Sequence, residues 1–394
     1  MGVRKTDMLK RGFYPLVGLL VLVLFLAVGL HQLLDRSDDN SEDAEGLSLT
    51  DFLSAGSEHE KGFAKARPDY VLSFPGDHLA HPAFRSEWWY LNGNLQHRDD
   101  PQQRFGFQFT IFRQALATQE KTTGSGWLTP QFYMGHTGLG VFSQGRHLTA
   151  ERFSRQGPGL AGTEAEPLSV WLEDWRLQAE QSDDLFPATV SAGVKGAFSY
   201  RLHLVPEKPR VYQGEEGYSP KREEPGFASH YYSYTRLRVE GELKLDGETI
   251  PVSGTAWYDH EWSSNILAEY QTGWDWFSLQ LEDGRDLVFM ELPARPGSGK
   301  RNFRQVALFD VTGKHLSVDA QLIQLEVRDH WRSPSGIRWP SGWRLQIPEH
   351  DLDLTITPRQ KNQENNLSVR YWEGAVKVTG SHNGQGYVEL TGYE

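Results

Sequence analysis

The chain has 394 residues, 40 Lys and Arg against 52 Asp and Glu for a formal net charge of -12, and no cysteine. The missing cysteine excludes disulfides, thiolate metal sites, cysteine nucleophiles and a lipoprotein anchor. The acidic balance, without a Lys/Arg stripe interleaved with aromatic residues, argues against nucleic acid as a partner.

Phe13 to Leu30 carries no charge, just long enough for a membrane-spanning helix of roughly 17 to 25 residues. Arg4, Lys5, Lys10 and Arg11 precede it, and Asp35, Asp38, Asp39, Glu42, Asp43 and Glu45 follow. The positive-inside rule then keeps the short tail in the cytoplasm. Residues 1–34 are expected to be a single-pass anchor in the inner (cytoplasmic) membrane with the folded part periplasmic. Cleavage near Ala27-Val28-Gly29 would instead make them a signal segment and the protein secreted. Residues 35–66 are polar and acidic and read as a linker.

From Tyr70 onward the composition turns aromatic and β-branched. Phe105 to Phe112, Phe277 to Leu281 and Leu352 to Ile356 alternate apolar with polar or small residues, the period of a strand with one buried face. Asp246-Gly247, Asp283-Gly284 and Asn383-Gly384 supply tight hairpin turns. The expected fold class is all-β.

An internal repeat divides this region. Glu240-Gly241-Glu242-Leu243-Lys244-Leu245 and Val252 to Trp257 match Glu373-Gly374-Ala375-Val376-Lys377-Val378 and Val388 to Tyr393. The openings Glu87-Trp88-Trp89-Tyr90 and Gly273-Trp274-Asp275-Trp276 correspond as well. Two domains of related design are expected, residues 67–262 and 263–394. Each suits an antiparallel barrel that holds one small ligand.

The stretch Trp257-Tyr258-Asp259-His260-Glu261-Trp262 sets three titratable side chains among aromatic rings, and Trp274-Asp275-Trp276 follows closely. Burial among indoles disfavours charge, so Asp259, Glu261 or Asp275 can be kept protonated as an acid. His260 is the natural base for positioning water. Asp275 or Asp259 is therefore read as acid, His260 as base and Trp262 as site lining. Alternation turns Glu261 away from His260. The plainer alternative leaves the tryptophans as core fillers and Asp259 as a turn acceptor. Glu87 sits in the other aromatic run, and His230-Tyr231-Tyr232-Ser233 offers polar tips suited to a pocket mouth. His78 and His81 have His-x-x-His spacing, but in a Pro/Gly loop and without a His-Glu-x-x-His signature. No metal or other cofactor is expected. No Gly-x-Ser-x-Gly elbow supports hydrolase chemistry either.

Ser86-Glu87-Trp88-Trp89-Tyr90, Gln213-Gly214, Tyr218-Ser219-Pro220-Lys221, His230 to Ser233, Gly254 to Trp262, Gly273 to Trp276 and Tyr371-Trp372-Glu373-Gly374 occur in this order. Together they resemble the lipocalin-like AttH/CrtC family, often labelled predicted secreted hydrolases and related to carotenoid 1,2-hydratase. The resemblance implies two tandem lipocalin-like antiparallel β-barrels, with ligand space near their junction. It also implies water addition to an alkene without metal or organic cofactor, with His260, Trp262 and Asp275 in the catalytic region. Some family members occur beside ABC-transporter components. The expected activity is thus a hydro-lyase acting on an isoprenoid or lipid-like alkene, with a lipophilic-ligand carrier working with such a transporter as the alternative. Catalytic residues are expected at Asp259, His260 and Asp275. Trp257, Tyr258, Glu261, Trp262, Trp274, Trp276, Glu87, Trp89 and Tyr231 are expected to contact a hydrophobic small-molecule ligand.

Overall fold

The computed structural model describes residues 47–48, 62–118, 129–224, 226–264 and 267–393. The expected anchor, and all of the expected linker except residues 47–48 and 62–66, lie outside them. Among the described residues no helix is long and apolar enough to cross a membrane. The described chain is all-β, with helix limited to short 3-10 turns such as Gly76–His78.

The strands form two barrel-like sheets, one nearly closed and the other a half-barrel. The first holds the strands between Ser86 and Ser263, the second those between Asp275 and Leu390. The second sheet ends at the edge strands His315–Leu316 and Gln324–Arg332, so it stays open where a full barrel would close. The repeat seen in the sequence has a structural counterpart. In each sheet the opening strand, Ser86–His97 or Asp275–Leu281, pairs antiparallel with the last strand of the sheet's final hairpin. Those hairpins are Ala228–Leu245 with Glu248–Ser263, and Val369–Gly380 with Gly384–Leu390. Asp246 and Gly247, both at positive φ, turn the first. In the second the positive φ falls on Gly380 rather than on the expected Gly384.

Each sheet has its own core. Trp89, Leu91, Phe107, Phe109, Leu202, Tyr258 and Trp262 pack inside the first. Phe277, Leu279, Phe289, Trp343, Trp372 and Val376 pack inside the second. Strand alternation sends the intervening residues to the outer faces, and these faces pack against each other. Tyr90 and Trp257 of the first sheet meet Trp276, Met290, Ala375 and Tyr387 of the second. Central strands are consequently buried on both faces, as in Arg104–Ala115, where every residue after Arg104 is buried. Gly106 lets the sheets approach closely: a Cβ there would lie 2.5 Å from the Tyr387 hydroxyl and 3.1 Å from the Ala375 Cβ.

Polar clamps flank this apolar seam. Tyr90 donates to Glu373 Oε1 at 2.7 Å, and Asn94 Nδ2 donates to the Gly386 carbonyl at 3.0 Å. Asp286 of the second sheet accepts from Lys208 Nζ at 2.5 Å, Arg236 Nη2 at 2.6 Å and Thr235 Oγ1 at 2.8 Å, all from the first. A fully buried carboxylate needs such partners, because an unpaired charge there costs several kcal/mol.

Candidate active site at the seam

The strand Glu248–Ser263 separates the residues of the Trp257 to Trp262 cluster by parity. Tyr258 and Trp262 belong to the core of the first sheet, and His260 faces the same way, stacked 4.8 Å from Trp89. Trp257 belongs to the seam, and Asp259 and Glu261 share its face. One strand thus serves two environments.

On the seam face a cavity of about 70 Å³ opens between the sheets. The first sheet contributes Trp88, Tyr90, Thr110 and Phe112 from its central strands, with Tyr231, Asp259 and Glu261 beside them. The second contributes Trp274, Trp276, Met290, Leu292 and Glu389, while Lys221 enters from a short strand edge. Ligand pockets typically measure about 300 to 1,000 Å³. This cavity therefore receives only one end of a ligand unless side chains move.

The carboxyl groups give the cavity its chemistry. Asp259 Oδ1 accepts from the Ser233 hydroxyl and, at 2.8 Å, from Trp257 Nε1. Tyr231 also hydrogen-bonds this carboxyl. Burial pushes the Asp259 carboxyl up to about 7, against the pull of its hydrogen-bond donors and with help from the nearby Glu261 charge. Burial also raises Glu389 despite a 3.0 Å hydrogen bond from Trp274 Nε1. Glu373, behind Tyr90, is raised by burial and by Glu389. Glu261 differs, because Lys221 Nζ lies 2.5 Å from its Oε1 and the Ser229 hydroxyl donates to it. The cavity thus combines carboxyl groups whose neutral form burial favours with one ion-paired carboxylate among indole and phenyl walls.

Behind this strand, inside the first sheet, lies a second polar cluster. Glu87 Oε1 accepts from His81 Nδ1 at 2.6 Å and His260 Nε2 at 2.9 Å. Its Oε2 accepts from Arg113 Nε at 2.7 Å and the His81 backbone N–H at 2.8 Å. Burial alone would raise this carboxyl, but the Arg113 charge and both imidazoles hold it well below the usual range. Burial lowers His260 to about 4, so it is a neutral imidazole at pH 7. Its Nδ1 lies 3.1 Å from the Tyr232 hydroxyl, which reaches His78 Nδ1 at 2.7 Å. Trp262 stacks on His81 with centroids 3.8 Å apart. The potential ligand atoms of His81, Glu87 and His260 lie within 4.8 Å of one another, close enough to consider a metal. The arrangement favours hydrogen bonding instead, since the Arg113 guanidinium on the same carboxylate opposes a second cation.

Asp275 occupies a third place. It precedes the seam residue Trp276 on its strand and accepts from the Tyr393 hydroxyl at 2.8 and 3.0 Å. Burial pushes it up to about 7, with a further contribution from Glu291.

The expected trio of Asp259, His260 and Asp275 therefore does not gather round one ligand. Neighbouring side chains on a strand point to opposite faces, which parts His260 from Asp259 and Asp275 from Trp276. Of the expected ligand contacts, Tyr231, Glu261, Trp274 and Trp276 line the seam cavity with Asp259, and Trp257 supports Asp259 from beside it. Glu87, Trp89, Tyr258 and Trp262 lie inside the first sheet. Sequence reasoning missed Lys221, Trp88, Tyr90, Phe112, Met290 and Glu389 as lining. Parity offered a signal for two of them: Trp88 alternates with Glu87, and Glu389 interrupts the apolar run Val388 to Leu390.

Comparison with known proteins agrees with this architecture. The crystal structure of an AttH protein from Nitrosomonas europaea is 31% identical, covers 84% of this chain and all of its own, and superposes with a TM-score of 0.73. Kievitone hydratase from Nectria haematococca shares the fold at 14% identity, with 84% of this chain and 96% of that one covered and a TM-score of 0.63. CghA solved with Sch210972 covers the same shares at 13% identity and a TM-score of 0.50. No curated protein matches by sequence. The sequence model of the AttH-like family spans residues 65–393, taking in both sheets and the seam between them. By that match, and by its likeness to the Nitrosomonas protein, the chain belongs to the AttH-like family.

Proposed function

We propose that the protein is a cofactor-independent hydratase that adds water to an alkene at the end of a lipophilic small molecule, an isoprenoid or similar lipid, held in the seam cavity. The observation that carries this reading is Asp259, a buried carboxyl raised by burial against three hydrogen-bond partners, Ser233, Trp257 and Tyr231, at the wall of an aromatic cavity.

The proposed step begins with the alkene π pair forming a C–H bond to the Asp259 proton. The resulting carbocation lies among Trp88, Trp274 and Trp276, whose faces attract cations by roughly 0.5 to 2 kcal/mol. That attraction acts on the intermediate and not on the neutral alkene, so it favours the reaction and not mere binding. A water lone pair then forms the C–O bond. Glu261, two residues along the same face, takes the proton that water releases and returns it to Asp259. Glu389 keeps the rest of the wall uncharged.

The name of one structural neighbour, kievitone hydratase, supports a hydratase on this fold. A membrane anchor at residues 1–34, a periplasmic folded part and an ABC-transporter partner belong to the same proposal and rest on the sequence. A carrier would need the same cavity but no acid in it.

The test uses full-length protein purified from its native membrane, with co-purifying lipophiles identified by mass spectrometry. The protein is then incubated with them in water labelled with heavy oxygen. A hydrated product carrying the label, absent with Asp259→Asn, supports the hydratase. A co-purified ligand that stays unlabelled over prolonged incubation would sink it and leave the carrier.

A further inference from the structure

At the other end of the seam lies a groove of opposite character. Its volume is about 330 Å³, and it is lined by Asn94, Gln96, Arg104 and Thr255 from the first sheet and Arg359 and Gln385 from the second. Thr255 precedes Asp259 by four residues on one strand, which places the groove about 13 Å from the acid at roughly 3.3 Å per residue.

The charges in this groove do not cancel. Arg238 also lines it, but pairs with Glu240 at 2.5 Å, so these two contribute nothing net. Arg359 is half-buried, yet its acceptors are neutral: Nε donates to Asn94 Oδ1 at 3.2 Å and Nη2 to Gln385 Oε1 at 3.4 Å. Both amides are fixed from behind. Asn94 Nδ2 is committed to the Gly386 carbonyl, and Gln385 Nε2 donates to Thr255 Oγ1 at 2.9 Å. The Thr255 hydroxyl in turn donates to Gln280 Oε1 at 2.7 Å. Among the described residues neither Arg104 nor Arg359 has a carboxylate partner. Burial and the charge of Arg104 together push Arg359 down to about 10.

A guanidinium held half out of water by neutral amides, facing a second one, is costly without an anion. The same pair is well suited to receive one, because guanidinium groups recognise carboxylate and phosphate oxygens through paired N–H donors in a fixed plane. The concave shape and small volume select a small molecule over a polymer.

We propose that this groove is an oxyanion-binding subsite, taking a phosphate or carboxylate group between Arg104 of one sheet and Arg359 of the other. Because each sheet supplies one cation, the bound anion also ties the sheets together. The subsite is independent of the hydratase reading.

Calorimetric titration and thermal unfolding of the full chain with inorganic phosphate, and separately with malonate, test the proposal against sodium chloride at matched ionic strength. A saturable response of one anion per chain, with a rise in Tm, is expected for phosphate, malonate or both, and the pattern names the preferred class. Arg359→Gln and Arg104→Gln should each weaken binding by about tenfold or more, the scale of one lost charged hydrogen bond. Arg238→Gln should change it by less than about threefold, as an already neutralised group. Should Arg359→Gln impair folding, Arg104→Gln decides, since Arg104 makes no clamp between the sheets. A response no larger than that to chloride, or one unchanged in Arg104→Gln, overturns the proposal.

Discussion

Replacing Asp259 with Asn should abolish turnover and yet make the protein more stable at alkaline pH. Oδ1 accepts from Ser233 and Trp257, so an Asn oxygen fits there, and its NH2 replaces Oδ2 beside the Tyr231 hydroxyl, which can accept from it. Folding moves the carboxyl from 3.8 to about 7, so between those values the folded chain holds a proton that the unfolded chain releases. The stabilisation is complete below about pH 4 and is lost as pH rises through about 7. At about 1.4 kcal/mol per pH unit the loss is on the order of 4 kcal/mol. Asn has no proton to lose and escapes it. Urea unfolding at pH 5 and pH 9 measures the effect directly. At pH 5 the variant should already be the more stable by roughly 1.5 kcal/mol, and at pH 9 by on the order of 4 kcal/mol. Asp275, similarly raised, titrates in both proteins and drops out of the comparison. Equal pH slopes, or a variant less stable at pH 9, would refute the claim that Asp259 is a buried neutral acid.

Other substitutions probe the neighbouring parts. If Asp259 donates its proton, hydration rate should fall as pH rises through about 7; a rate that climbs across that range contradicts the assignment. Arg113→Met leaves the Glu87 carboxylate buried without its cation and should cost about 3 to 5 kcal/mol of unfolding free energy. Adding Glu87→Gln should recover part of that loss, and a double variant as unstable as the simple sum would count against a coupled pair. His260→Phe should lower stability by about 1.5 to 3 kcal/mol through the lost bond to Glu87 and leave ligand affinity within about threefold. Trp276→Ala, on the cavity wall, should show the stronger effect on affinity, and the reverse ranking would place the ligand inside the first sheet.

The strand pattern was readable from alternation because each sheet keeps a continuous apolar face, as in Leu352–Pro358. The repeat was readable because the final hairpins keep the same Glu-Gly opening. The site was only half readable. Parity along Trp257 to Trp262 separates two sets of residues, but nothing local says which set faces a partner sheet and which an interior. That depends on Tyr90 meeting Glu373 and on Trp276 meeting Trp257, contacts between distant parts of the chain. Density of titratable and aromatic residues therefore pointed to the right segment and merged two environments into one. Lys221 and Glu389 escaped for the same reason, since their roles arise only across the seam.

Packing the sheets back to back has a consequence for how the acid comes into being. Neither repeat owns the cavity: Asp259 and Glu389 stand on outer faces, where a lone repeat would leave them hydrated and ordinary. Their reactivity is a property of docking, created when two exterior surfaces become one interior. A separated first repeat would keep every residue of the Trp257 to Ser263 segment and lose the acid.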